Sequence, residues 1–263
     1  MEVNTSILHT AIEAAQRAGR IIAERYPTER NAYFKGYRDL VTETDVAAQR
    51  AILDLVSERF PAHATLSEES EEDVRGGISG GYTWVVDPLD GTSNFTHRVP
   101  IFSVSVGVLK DGEPLVGVVY DPLRDHLFVG QSGAGATLNG DPIHVSAVSS
   151  VGEAIAGFDW ARDDTLRHRV LGNVQRVVPR AHSVRVLGSA ALGLTYVATG
   201  WLGSYCHLAL QPWDAAAAVL LVREAGGRCT TAAGELYRVG ESACLATNGL
   251  IHDEMLGLLN NRS

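Results

Sequence analysis

Cysteine is scarce in this chain of 263 residues: Cys206, Cys229 and Cys244 are an odd number, and none stands in a CxxC. That excludes a disulfide framework and a cysteine-rich zinc site, and predicts buried free thiols in a reducing compartment. Basic residues are also in deficit, 22 Lys plus Arg against 31 Asp plus Glu, for a formal charge of −9. A surplus of acid excludes general binding along a nucleic-acid backbone, where side-chain cations must neutralise phosphates. Any phosphorylated ligand must be met instead by a few local cations or by metal ions. No apolar run is long enough to span a bilayer. The opening residues, MEVNTSILHTAIEAAQRAGR, carry Glu2 and Glu13 and lack the apolar stretch of a signal peptide. A cytoplasmic globular protein without membrane contact is the expectation.

Hydrophobic residues make up 45% of the chain, and their spacing predicts its elements. Ile7, Leu8, Ala11, Ala15, Ala18, Ile21 and Ile22 form a helical stripe over 4–26, ended by Pro27. Val46, Ile52, Leu53, Val56 and Phe60 repeat it over 43–60, ended by Pro61. The polar stretch 29–41 between them reads as a loop or loose hairpin. Thr83–Asp87 reads as a strand stopped by Pro88, and 102–109 with 115–120 as a hairpin turning at Asp111-Gly112. Residues 126–129 and 136–138 extend the same sheet. The Gly-x-Gly of GQSGAGATLNG lacks the third glycine of a dinucleotide fingerprint, where Leu138 stands, and reads as turns. Strands are then predicted near 154–158, 203–206 and 244–246, and helices near 163–177, 188–199, 212–224 and 250–260. The whole reads as a layered α/β chain of two intimate halves, 1–147 and 148–263.

The chemistry concentrates in Asp87-Pro88-Leu89-Asp90-Gly91-Thr92-Ser93-Asn94-Phe95. Two carboxylates three residues apart, with the Leu89 carbonyl between them, can converge on one point at a strand end. Such oxygen donors suit a hard cation such as Mg²⁺. Gly91 permits close approach of the backbone, and Thr92 to Asn94 can open a helix whose free N–H groups face an anion. A capped turn would explain an isolated Asp-Gly-Thr, with Asp90 or Ser93 as the cap. Asp87 and the nearby Leu66-Ser67-Glu68-Glu69-Ser70 outweigh that simpler explanation.

Four blocks carry a resemblance along nearly the whole chain: 39–45 (DLVTETD), 66–70 (LSEES), 84–95 (WVVDPLDGTSNF) and 213–227 (WDAAAAVLLVREAGG). The chain resembles the inositol monophosphatase family, whose relatives include fructose-1,6-bisphosphatases and histidinol-phosphate phosphatases. The resemblance implies an alternating α-β-α-β-α sandwich, usually a homodimer. It implies hydrolysis of a small phosphate monoester of a polyol or sugar, with inositol-1-phosphate foremost, by a metal-activated water. Two to three Mg²⁺ ions would be held by Glu68, Asp87, Asp90, Asp214 and the Leu89 carbonyl, with Asp87 between two of them. Glu68, Thr92 and Asp45 would serve catalysis, Thr92 and Asp45 by orienting and deprotonating the water. Asp90, Gly91, Thr92 and Asp214 would also meet the substrate. Gly188, Ser189, Ala190 and His207 would complete its wall, with help from the loop Asp159–Arg162, though Gly188 to Ala190 also begins a helix and N-capping is an equally good reading of Ser189. His207 departs from the inositol enzymes, which have a carboxylate there. Lys35 lies near a family lysine but one residue out of step, and takes no role.

Competing phosphatase chemistries fail on spacing. A haloacid-dehalogenase loop needs a nucleophilic Asp two residues before Asp90, where Pro88 stands. Cysteine phosphatases need Arg six positions after Cys, where this chain has Pro212, Glu235 and Leu250. A role as a protein- or RNA-binding factor is the non-enzymatic alternative, disfavoured by the complete ligand set.

Overall fold

The protein is described by a computed structural model over residues 2–28, 31–70 and 80–260. In chain order its elements are α1 (Glu2–Arg25), β1 (Ala32–Gly36), β2 (Asp39–Thr42), α2 (Glu43–Arg59), β3 (Ala64–Ser67), β4 (Tyr82–Asp90), α3 (Thr92–Thr96), β5 (Ser103–Lys110), β6 (Glu113–Asp121), β7 (His126–Gln131), β8 (Gly135–Leu138) and β9 (Asp141–Pro142). Then follow β10 (Ile155–Phe158), α4 (Asp164–Val177), β11 (Ser183–Val186), α5 (Ala190–Ala198), β12 (Ser204–His207), α6 (Pro212–Glu224), β13 (Arg228–Thr230), β14 (Cys244–Thr247) and α7 (His252–Leu259).

Five layers result. β3 to β9 form one sheet in sequence order, antiparallel except for the β3–β4 pair. A second sheet has the order β11-β10-β12-β14-β13. α1 and α2 cover the outer face of the first sheet, where Ile7, Ala11, Ala18 and Ile22 meet Val104, Val106 and Val118. α5 and α6 fill the space between the sheets. α4 and α7 close the outer face of the second. This is the alternating sandwich that the resemblance implies. No helix among the described residues is long and apolar enough to cross a membrane. All three cysteines are buried and free.

The middle layer packs directly against the backbone of the first sheet. Gly107, Gly117 and Gly130 lie side by side across β5, β6 and β7 on the face toward α6. A Cβ at Gly107 would stand 2.7 Å from the Ala216 Cβ, and one at Gly117 2.4 Å from the Ala217 carbonyl oxygen. The row of missing side chains is therefore a groove in which the backbone of α6 lies.

Two readings need correction, and a third resolves to one of its two alternatives. β4 does not stop at Pro88 but runs to Asp90, because a register irregularity between Asp87 and Asp90 takes the proline, which has no N–H, out of the ladder. Val46 is exposed: the buried face of α2 is Thr44, Asp45, Ala48, Ile52, Leu55 and Val56, so its first turn faces the site with polar groups. The stretch between α1 and α2 forms the hairpin β1–β2, with residues 29 and 30 outside the described part.

Candidate active site

β4 delivers Asp87 and Asp90 on its last turn of strand, 2% and 6% exposed. α6 delivers Asp214 from its first turn, where the carboxylate caps the helix by accepting from the Gln211 N–H at 2.7 Å. One oxygen from each of the three lies within 4.8 Å of the others. Burial, then the neighbouring carboxylates, pushes Asp87 well above the ordinary carboxylate range, and Asp214 likewise through burial and Asp90. Asp90 rises only to about 6. Burial raises it, and donors from Ser189, Ala190 and Ala191 pull it back. Its oxygens accept from Ala190 N at 3.0 Å, Ala191 N at 3.1 Å and the Ser189 hydroxyl.

Glu68 follows β3 immediately and stands at the rim of this trio. Its carboxylate accepts from Lys35 Nζ at 3.0 Å and lies 3.5 Å from an Arg162 nitrogen. Its charge reaches Asp45, Asp87, Asp90 and Asp214. The four predicted carboxylates thus gather as three in close range and a fourth bound to two cations. Lys35, given no role from sequence, pairs with Glu68 and Glu69, and Arg162 joins Glu68 to Asp39 at 2.7 Å. Neither residue sits in a recognisable motif, and the hairpin that carries Lys35 was read only loosely.

Asp45 and Thr92 meet as the resemblance implies. Asp45 sits in the first turn of α2, where it completes a capping box with Thr42. Its other oxygen accepts from the Thr92 hydroxyl at 2.9 Å. Burial lifts Asp45 to about 6 against those hydrogen bonds. Leu89 turns its carbonyl toward the same hydroxyl, at 3.1 Å. A hydroxyl has one proton, so the carboxylate takes it in preference and the Thr92 oxygen keeps free lone pairs.

Gly91 opens α3 at φ 95, a left-handed conformation. A Cβ there would stand 3.0 Å from the Ile101 carbonyl and 3.1 Å from that of Gly188. Both the angle and the space demand glycine. Gly91→Ala is expected to lower both Tm and phosphatase activity, read by thermal melts and initial rates, because the strain falls where β4 hands over to α3. Asn94, which the sequence marks only as part of a helix opening, donates its amide to the carbonyls of Ile101 at 2.7 Å and Leu187 at 2.8 Å, tying α3 to the turn before α5.

The expected substrate wall has a different geometry in places. Ser189 is buried and its hydroxyl, with the Ala190 N–H, is committed to Asp90. Only Gly188 of that trio is exposed, and its own N–H goes to Asp159 at 2.7 Å. Asp159 is 5% exposed and faces inward, unlike Arg162. His207 ends β12, buried, its Nδ1 accepting from Ala209 N at 3.0 Å. Burial, then Arg162, lowers it to about 4, so the ring is neutral near pH 7 with its proton on Nε2.

The chain is similar to known proteins over nearly its whole length. The family model described as "Inositol monophosphatase family" matches residues 3–262. Inositol monophosphatase 3 of Solanum lycopersicum is 38% identical over 257 residues, 96% of each chain. Nus factor SuhB of Escherichia coli is 40% identical over 225 residues, 84% of this chain and 83% of that one. The solved structure of an inositol monophosphatase from Anabaena is 35% identical and superposes with a TM-score of 0.85, covering 98% of this chain and 96% of that one. With the layered fold and the acidic cluster at the end of β4, these likenesses show that the chain belongs to the inositol monophosphatase family of phosphoric monoester hydrolases.

Proposed function

We propose that the protein hydrolyses a small phosphate monoester, inositol-1-phosphate foremost, in a Mg²⁺-dependent reaction with direct attack by water. The observation that carries this reading is the convergence of Asp87, Asp90 and Asp214 beside the Thr92–Asp45 pair. The donors are all oxygen, which suits Mg²⁺, and buried like charges need cations to remain ionised together. Asp87, Asp90, Asp214, Glu68 and the Leu89 carbonyl would hold two to three ions. Bound there, Mg²⁺ supplies Lewis acidity that makes a water nucleophilic and offsets charge on the leaving oxygen. Asp45 takes the Thr92 proton, so the Thr92 oxygen can accept one from the attacking water and aim it. Gly91 and Thr92, at the first turn of α3, have N–H groups without intrahelical acceptors and can hold phosphate. His207, as a neutral Nε2–H donor, suits a substrate oxygen acceptor rather than a cationic amine, which disfavours histidinol phosphate.

The test is a panel at fixed Mg²⁺: inositol-1-phosphate, fructose-1,6-bisphosphate, histidinol phosphate, adenosine 3′,5′-bisphosphate and glycerol-2-phosphate, ranked by kcat/KM. The inositol ester should lead, with fructose-1,6-bisphosphate next. Activity should vanish in excess chelator, and full activity there would overturn the metal reading.

The raised pKa values add a pH prediction. Burial lifts Asp90 to about 6, and burial with the neighbouring carboxylates holds Asp87 and Asp214 well above the ordinary carboxylate range, so bound ions must displace protons from the cluster, and more of them as pH falls. Mg²⁺ affinity, measured by calorimetry, should therefore weaken as pH falls from about 7 to 5, with protons released on binding.

The 40% identity to the E. coli Nus factor SuhB favours a second reading, a regulatory factor that binds protein or RNA. It would survive Asp87→Asn, which removes only the chemistry, and a gel-shift assay with structured RNA tests it. The homodimer implied by the resemblance is checked by sedimentation equilibrium.

A further inference from the structure

Asp159 lies just beyond β10, where its two oxygens are both occupied. One accepts from Gly188 N at 2.7 Å and the other from the Tyr205 hydroxyl at 2.8 Å. Tyr205, on β12, is fully buried and pairs in register with Gly157 of β10. Its ring fills the space left by two glycines. A Cβ on Gly157 would stand 2.8 Å from ring or neighbouring atoms, and one on Gly193 of α5 only 2.2 Å from the ring. Asp159 and Tyr205 therefore fasten the start of α5 to the second sheet.

That start of α5 is the same turn that holds Asp90. Gly188 gives its N–H to Asp159, and the next three residues give a hydroxyl and two N–H groups to Asp90. Asn94 holds the turn from the opposite side through the carbonyls of Leu187 and Gly188. The orientation of the Asp90 carboxylate relative to Asp87 and Asp214 depends on where this turn sits, and Asp159 fixes it from the buried side.

We propose that Asp159, held by Tyr205, is a positioning residue for Asp90: it locks the turn before α5 whose donors aim the Asp90 carboxylate into the acidic cluster, and so sets the affinity of the site for Mg²⁺. The inference rests on the reading that this cluster holds Mg²⁺. Neither side chain hydrogen-bonds a carboxylate of the cluster, and Tyr205→Phe removes no charge, so its effect on metal affinity distinguishes positioning from ordinary support of the core.

The test compares Tyr205→Phe and Asp159→Asn with the unaltered protein and with Val170→Ala, a core variant in α4 on the far side of the second sheet. Mg²⁺ affinity is measured by titration calorimetry, Tm in excess chelator, and kcat and KM as functions of Mg²⁺. Loss of a group that orients a ligand typically weakens metal binding about 10–100-fold. Tyr205→Phe should stand at the low end of that range and Asp159→Asn higher, with kcat recovering at saturating Mg²⁺. Val170→Ala should lower Tm and leave Mg²⁺ affinity unchanged. Unaltered affinity in Tyr205→Phe and Asp159→Asn, whatever their Tm, overturns the inference alone. Should Asp159→Asn not fold, Tyr205→Phe decides, since it keeps the ring and removes one hydroxyl. An unaltered protein that binds no Mg²⁺ overturns the metal reading, and this inference with it.

Discussion

Asp87→Asn should lower kcat/KM by roughly a thousandfold and at the same time raise Tm in excess chelator. The first effect follows from metal chemistry: a bound ion contributes several kcal/mol to the transition state, and each 1.36 kcal/mol is about tenfold in rate. The second follows from the raised pKa. Asp87 is pushed above its ordinary 3.8 by burial and by the charges of Glu68, Asp90 and Asp214. Between the unfolded and folded values the native protein keeps a proton that the unfolded chain has released. In chelator its stability contribution is therefore present at low pH and lost as pH rises through that window. An amide has no such proton, so the variant should be the more stable at neutral pH. For a chain of this size each kcal/mol regained is worth about 2–4 °C in Tm. Added Mg²⁺ should reverse the order, stabilising the unaltered protein more than the variant. Near-normal turnover in Asp87→Asn would mean that the site is misplaced. A Tm that did not rise would mean that the cluster does not strain the fold.

Gly117→Ala is the second large effect, and it acts without touching the site. The added methyl would press on the Ala217 carbonyl at 2.4 Å, on a backbone atom of a helix buried between two sheets. Overpacking typically costs about 1–3 kcal/mol, more where nothing flexible can yield, and here the methyl meets helix backbone rather than a movable side chain. Asp214 sits in the first turn of that helix, so α6 displaced from its groove carries the carboxylate away from Asp87 and Asp90. Both Tm and Mg²⁺ affinity should fall together. Gly107→Ala, against the Ala216 side chain rather than a carbonyl, should do the same more mildly. Equal Tm in Gly117→Ala and the unaltered protein would show that the sheet can bow to accept the methyl.

Much of this was legible in the sequence because the informative residues are contiguous. Nine residues from Asp87 to Phe95 hold two carboxylates, the glycine that opens α3 and the threonine that meets Asp45. The long helices were read from their stripes, and the hairpin β5–β6 from Asp111-Gly112. What escaped was short or distant. β3, β11 and β13 have three or four residues each, too few to display a period of two. Asp159 and Arg162 stand out in the sequence only as a loop of the expected substrate wall, and Lys35 without a role, because all three act through partners far along the chain and no spacing rule links Asp159 to Gly188 or Lys35 to Glu68. Of the two readings open for Ser189, the helix cap is the one seen, and its hydroxyl is turned inward onto Asp90 rather than toward a substrate wall. The departure at His207 was visible, but its tautomer needed the Ala209 N–H.

The glycine groove also bears on the order in which the molecule is made. Its three strands are complete by residue 131, whereas the helix that fills it begins at Pro212. At roughly 5–20 residues per second, the nascent sheet waits several seconds on the ribosome with that channel vacant. Asp87 and Asp90 are then already in place, and Asp214 arrives with the last partner to dock. Competence to bind Mg²⁺ should accordingly be the latest signal to return on refolding from denaturant, lagging the recovery of far-ultraviolet dichroism. A single titration with the ion would then count the molecules that have finished folding.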